Sequence, residues 1–221
     1  MTADREPHAN QPVLRSGPLP ENARLVAILL HGRGASADDI LGLAHEFSAS
    51  DLAYLAPQAA GSTWYPHSFL APLDQNEPWL GSALGLIGVL VEDLARRGIP
   101  SERIVLMGFS QGACLALEFA ARHARKYAAL AAFSGGLIGP PGTARDYGGD
   151  FAGTPVFIGC SDVDPHIPLA RVQESTSVFR RMGARVDERI YPRMGHTINA
   201  DELQAANALL MGETRSGAAG S

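Results

Sequence analysis

The chain has 221 residues, 46% of them apolar, and a formal net charge of -5. That length suits one domain with a substantial buried core, and the charge balance, with no run of Lys or Arg, excludes an electrostatic case for nucleic acid or an anionic membrane surface. Its longest apolar runs, such as Leu25 to Leu30 and Tyr127 to Phe133, are too short to cross a bilayer.

Residues 1–22 hold several Pro and Gly without sustained periodicity and read as an N-terminal arm or an irregular edge strand. Their polar start lacks the apolar core of a signal peptide, so a cytoplasmic location is expected. Leu25 to Leu30 is wholly apolar, as a central strand buried on both faces must be. It runs into His31-Gly32-Arg33-Gly34-Ala35-Ser36, and Ile40, Leu41, Leu43 and Ala44 then suggest a helix capped by Ser36. A second strand, Leu52 to Ala56, stops at Pro57. From Gly61 to Glu77 no period is visible, and long loops of this kind inside compact domains are usually functional. Its Trp64, Tyr65, Phe69 and Leu70 are expected to form an acyl-chain wall of the substrate site, the contrary reading being that they only pack the loop onto the core. Pro78 opens an amphipathic helix with Leu80, Leu84, Ile87, Val91 and Leu94 on one face, ended by Gly98.

The next stretch carries the chemistry. Ile104-Val-Leu-Met107 reads as a buried strand, Gly108-Phe-Ser-Gln-Gly112 as a sharp turn, and Ala113, Leu117 and Ala121 as the start of a helix. A serine at such a turn stands clear of the sheet, and the glycines two before and two after it let neighbouring backbone approach. Tyr127 to Phe133 is a further strand, and a Gly- and Pro-rich connection leads to another at Thr154 to Gly159. A helix from Pro168 to Gly183, a last strand from Arg185 to Tyr191 and a final helix from Asn199 to Met211 complete a domain over residues 23–211. The small, polar tail 212–221 is expected to fray. Alternating strands and helices predict an α/β fold with a mainly parallel sheet covered on both faces, whose chemistry lies in loops at the carboxyl ends of strands.

A serine hydroxyl needs a base within reach and a carboxylate behind that base. Asp164 and His196 each follow a predicted strand, which gives Ser110, Asp164 and His196 in the chain order of α/β-hydrolases. Asp162, in the same loop, is a rival for the acid. His31 is expected to hold its turn by hydrogen bonds, His67 and His166 to border the site, and His8, His45 and His123 to lie at the surface. The backbone N–H groups of Gln111 and Arg33 are the expected oxyanion donors. Cys114 and Cys160 are expected to be reduced and buried, and no His/Asp cluster has metal-ligand spacing.

Together Leu30-His-Gly-Arg-Gly-Ala35, Gly-Phe-Ser-Gln-Gly, Asp164-Pro-His-Ile-Pro168 and Met194-Gly-His196 resemble the phospholipase/carboxylesterase family of small α/β-hydrolases, to which acyl-protein thioesterases belong. The resemblance spans roughly Arg24 to Met211. It implies a lidless hydrolase of carboxylic esters or thioesters that needs no cofactor, with Ser110, Asp164 and His196 as its triad. A small-molecule or lipid-like ester is then the expected partner, with a homodimer left open and no nucleic acid or integral membrane segment. Serine carboxylesterase is the first reading. An acyl-protein or acyl-CoA thioesterase, or a lysophospholipase, would use the same residues, and a silent hydrolase-fold binding protein is the contrasting class. Many family members carry Leu where Arg33 stands, so its guanidinium either meets an anionic part of the substrate or is simply solvated.

Overall fold

The computed structural model describes residues 6–212. Seven strands form one sheet: β1 (Val13–Ser16), β2 (Leu25–Leu30), β3 (Leu52–Pro57), β4 (Ile104–Phe109), β5 (Ala129–Phe133), β6 (Pro155–Ser161) and β7 (Arg185–Tyr191). Their spatial order is β1-β3-β2-β4-β5-β6-β7. Only β1 runs antiparallel, pairing with β3 at one edge, so part of the expected N-terminal arm is sheet. The other strands are parallel, so each connection crosses back over the sheet; helices supply these crossovers except between β5 and β6, where residues 134–154 make it without a helix.

Among the described residues five α-helices cover the sheet: α1 (Ala37–Leu41), α2 (Trp79–Arg96), α3 (Gln111–Arg122), α4 (Leu169–Arg181) and α5 (Ala200–Met211). Alternate residues of each strand face opposite layers. Val26, Ile28 and Leu30 join Leu106, Leu130 and Ile158 beneath α2, α3 and α4. Ala27, Leu29, Met107 and Phe157 meet α1 and α5 on the other side. This two-sided burial explains why the strands read as unbroken apolar runs. Gly98 ends α2 in the left-handed region with φ 79°, where glycine pays no steric cost.

From β2 the chain moves to β3 on one side and crosses to β4 on the other. The loops leaving β2 and β4 therefore diverge at their carboxyl ends and open a crevice between them. The turn after Leu30 and the turn carrying Ser110 both border it. Two sequence expectations shift at element ends. β5 starts at Ala129, because the Tyr127 N–H is taken by Thr154 Oγ1 at 3.0 Å. β6 runs on to Ser161, since β7 pairs with it as far as Tyr191.

Candidate active site

Ser110 sits between β4 and α3 with φ 55° and ψ -119°, a conformation non-glycine residues rarely adopt. Its N–H donates to the Phe133 carbonyl at 2.9 Å, which holds the turn onto β5. The flanking glycines are required by contact. A Cβ at Gly112 would lie 2.1 Å from the Leu30 carbonyl oxygen, and one at Gly108 would lie 2.5 Å from the Gly112 backbone. The helix start is thus pressed against the end of β2, and the serine projects from a turn with little room to relax.

Ser110 Oγ and His196 Nε2 are 2.8 Å apart, and His196 Nδ1 and Asp164 Oδ2 are 2.7 Å apart. The three residues come from loops after β4, β7 and β6. With the carboxylate ionised, Nδ1 carries the proton and donates it, which leaves Nε2 free to accept from the serine hydroxyl. Asp164 has no exposed side-chain surface. Burial pushes its carboxyl up, but donation from His196 and from the N–H groups of His166 and Ile167, at 2.8 and 3.0 Å, outweighs burial and holds it below its ordinary value. The pair therefore keeps its charge on the aspartate. Asp162, the rival acid, accepts from the Arg193 N–H at 2.7 Å and ties down the loop that carries His196.

Neither the Arg33 N–H nor the Gln111 N–H has an acceptor among the described residues. Their side chains grip a common loop. The Arg33 guanidinium donates through Nη1 to Thr63 Oγ1 and the Pro66 carbonyl, both at 2.9 Å, and through Nη2 to the His67 carbonyl at 2.7 Å. Gln111 accepts from the Trp64 N–H at 2.9 Å and donates to the Tyr65 carbonyl at 2.8 Å. Trp64 Nε1 donates to the His31 carbonyl at 2.8 Å, and the Gly34 N–H donates to the Ser62 carbonyl at 2.7 Å. Residues 62–67 thus brace both turns that carry the free N–H groups.

The brace corrects two expectations. Trp64, Tyr65 and Phe69 are 0%, 1% and 6% exposed, so they fill the core beneath α2 to α4 and present no wall to a substrate. Leu70 is half-buried against the same core. Arg33 is exposed, yet its guanidinium is spent on three loop oxygens and is neither free for a substrate anion nor simply solvated.

Of the other histidines, His45, His67, His123 and His166 are exposed. His31 is buried and accepts from the Ala59 N–H at 3.1 Å, locking its turn. His8 is not at the surface as expected. It is fully buried between Trp64 and Trp79, accepts from the Ala60 N–H at 3.1 Å and donates to the Trp64 carbonyl at 3.0 Å. Both cysteines are free, and burial pushes each thiol up to about 12. Among the described residues no three His, Cys, Asp or Glu side chains gather as metal ligands, and no helix is long and apolar enough to cross a membrane.

His166 borders the Ser110–His196–Asp164 line as expected, whereas Phe109 was not anticipated there. The Phe109 ring lies 4.9 Å from the His196 ring, centre to centre, and the His166 ring lies edge-on to it at 4.8 Å. Phe109 stands inside the Gly-Phe-Ser-Gln-Gly motif, so the signal was present, although the motif says nothing of where its ring points.

Residues 18–211 match the family model described as Phospholipase/Carboxylesterase. A crystal structure of a phospholipase/carboxylesterase from Dyadobacter fermentans is 46% identical, with a TM-score of 0.88 over 91% of this chain and 97% of that one. The crystal structure of esterase PE8 is 25% identical, with a TM-score of 0.75 over 92% of this chain and 98% of that one. Acyl-protein thioesterase 1 of Saccharomyces cerevisiae is 29% identical over 126 residues, which are 56% of this chain and 55% of that protein. The chain thus spans about half the length of the curated relatives it matches.

Proposed function

Because this chain belongs to the phospholipase/carboxylesterase family of α/β-hydrolases, and because its serine, histidine and aspartate form one hydrogen-bonded line, we propose that it is a serine hydrolase of carboxylic esters. The observation that carries this is the strained Ser110 turn with its hydroxyl 2.8 Å from His196 Nε2. Ser110 Oγ attacks the ester carbonyl carbon while His196 Nε2 takes its proton, and Asp164 stabilises the imidazolium that results. The carbonyl oxygen becomes an oxyanion held by the Arg33 and Gln111 N–H groups. As the tetrahedral intermediate collapses, His196 returns the proton to the leaving alcohol, and Ser110 is left acylated. Water then attacks the acyl group with His196 again as base, releasing the acid and the free serine.

A thioester would follow the same steps with sulfur as the leaving atom, a reading favoured by the likeness to acyl-protein thioesterase 1. Matched oxygen and sulfur esters of one acyl group separate the two. A cytoplasmic setting is part of the proposal, in keeping with two unpaired thiols. The test is turnover of a short p-nitrophenyl ester: wild type cleaves it, whereas Ser110→Ala and His196→Ala, folded as judged by circular dichroism, lose it. Substantial turnover by either folded variant contradicts the proposal.

A further inference from the structure

On the side of Ser110 away from the bracing loop, the crevice is not filled. A groove of about 170 Å3 lies between α1 and the residues preceding α5, lined by Gly32, Asp39, Ile40, Leu43, Phe109 and Ile198. Leu43, Phe109 and Ile198 are half-buried, with their inner edges packed on the core and the rest turned outward. The groove joins the triad at two points. A Cβ at Gly32 would lie 3.2 Å from the Phe109 ring and 3.5 Å from Ser110 Cβ, so the groove floor at Gly32 lies beside the nucleophile with about a methyl group's space between them. Phe109 also lies against the His196 ring. A substrate carbonyl bonded to Ser110 would therefore have one of its arms beside this apolar surface.

The rim carries one carboxylate. Asp39 Oδ2 accepts from the Ser36 hydroxyl at 2.7 Å and the Ser36 N–H at 2.8 Å, bonds that keep it ionised. The nearest cation in the oxyanion turn, Arg33, is committed to residues 63–67.

We propose that this groove receives an uncharged hydrocarbon arm of the ester and that Asp39 disfavours an arm bearing a carboxylate. The proposal rests on the reading of Ser110 as nucleophile and adds the substrate class to it. An apolar cavity of about 150 Å3 holds a benzene molecule, so a phenyl ring or a chain of about four to six carbons fits the space. The arm is either the acyl chain or the alcohol; both present the same chemistry to the groove.

The test uses two ester series, p-nitrophenyl esters of acyl chains from two to eight carbons and acetates of alcohols from one to six carbons, each with one carboxylate-ended member. In one series kcat/KM rises about fourfold per added methylene until the groove is full, and that series identifies the arm. Leu43→Trp, or Ile198→Phe if Leu43→Trp does not fold, flattens the rise. Asp39→Asn raises the carboxylate-ended ester about tenfold relative to its neutral counterpart. The proposal is overturned if neither series rises in wild type, if the rise survives in a folded groove-filled variant, or if Asp39→Asn leaves the charge preference unmoved. Labelling of Ser110 by a small fluorophosphonate, run in parallel, separates the failures. Labelled protein with no chain-length rise sinks the groove alone, and unlabelled wild type sinks the nucleophile.

Discussion

Replacing Arg33 by Met keeps the backbone N–H that is proposed to hold the oxyanion but removes the three hydrogen bonds that tie its turn to Thr63, Pro66 and His67. Each bond is solvent-exposed and worth at most about 1 kcal/mol. Complete loss of an oxyanion donor costs about 2.7 to 4 kcal/mol in the transition state. A turn loosened but still held by the Gly34 to Ser62 and Trp64 to His31 hydrogen bonds should lose part of that, about 1 to 2 kcal/mol, or roughly 5- to 30-fold in kcat. KM should change little, because the oxyanion exists only after attack. The assay compares kcat and KM for a neutral p-nitrophenyl ester and a carboxylate-bearing one of similar length. Both should fall by the same factor, and Arg33→Lys, which still reaches one loop oxygen, should fall between. A loss confined to the carboxylate-bearing ester would refute the bracing role in favour of substrate contact. Unchanged kcat with lowered thermal stability would reduce the brace to a structural tie.

Trp64→Ala should destabilise the fold by about 3 to 5 kcal/mol, as loss of a large buried aromatic does, yet leave acyl-chain preference unmoved; a changed preference would return Trp64 to the substrate wall. Asp164→Asn should cost about 10^3 to 10^4 in kcat and Asp162→Asn less than about tenfold, since the Asp162 carboxylate accepts from the Arg193 backbone N–H and does not meet His196; equal losses would contradict the assignment of the acid. Glu202 on α5 is fully buried, with Oε2 accepting from the Asn199 N–H at 2.9 Å and Oε1 unpartnered among the described residues. Burial raises its carboxyl to about 7. The unfolded chain releases that proton near the ordinary carboxylate value, so stability is full below about pH 4.5 and is lost as pH rises through about 7. Glu202→Gln should therefore stabilise by about 3 kcal/mol at pH 8 and less than about 1 kcal/mol at pH 5; thermal melts that gain equally at both pH values would rule this out.

The sheet and helices were legible because burial on both faces leaves strands as apolar runs, as in Leu25–Leu30, while α2 shows its buried residues every three or four positions. That Ser110, His196 and Asp164 come together was legible for a related reason. In a parallel sheet the loops after β4, β6 and β7 share one edge, so a residue following a strand is placed by topology rather than by neighbours in sequence. Less legible were side chains whose partners lie far along the chain. His8 is buried by contacts with Ala60 and Trp64, and nothing in residues 1–22 announces them. Composition marked the aromatic loop as important, but the same Trp and Tyr serve equally to line a pocket or to fill a core. Only packing shows that Trp64 and Tyr65 face inward. Arg33 was noticed as a departure at its position, while the direction of its guanidinium depends on three oxygens of a loop 30 to 34 residues away. The groove escaped notice because Leu43, Phe109 and Ile198 come from three separate stretches, each with an adequate explanation as core.

The most direct measurement is peptide-resolved mass spectrometry of the folded protein after brief exposure to a small fluorophosphonate, in wild type and in His196→Ala. The account predicts one adduct per chain in wild type, carried by the peptide containing Ser110, with labelling slowed at least a hundredfold in the variant. An adduct on another residue, or equally rapid labelling of Ser110 without His196, would contradict it.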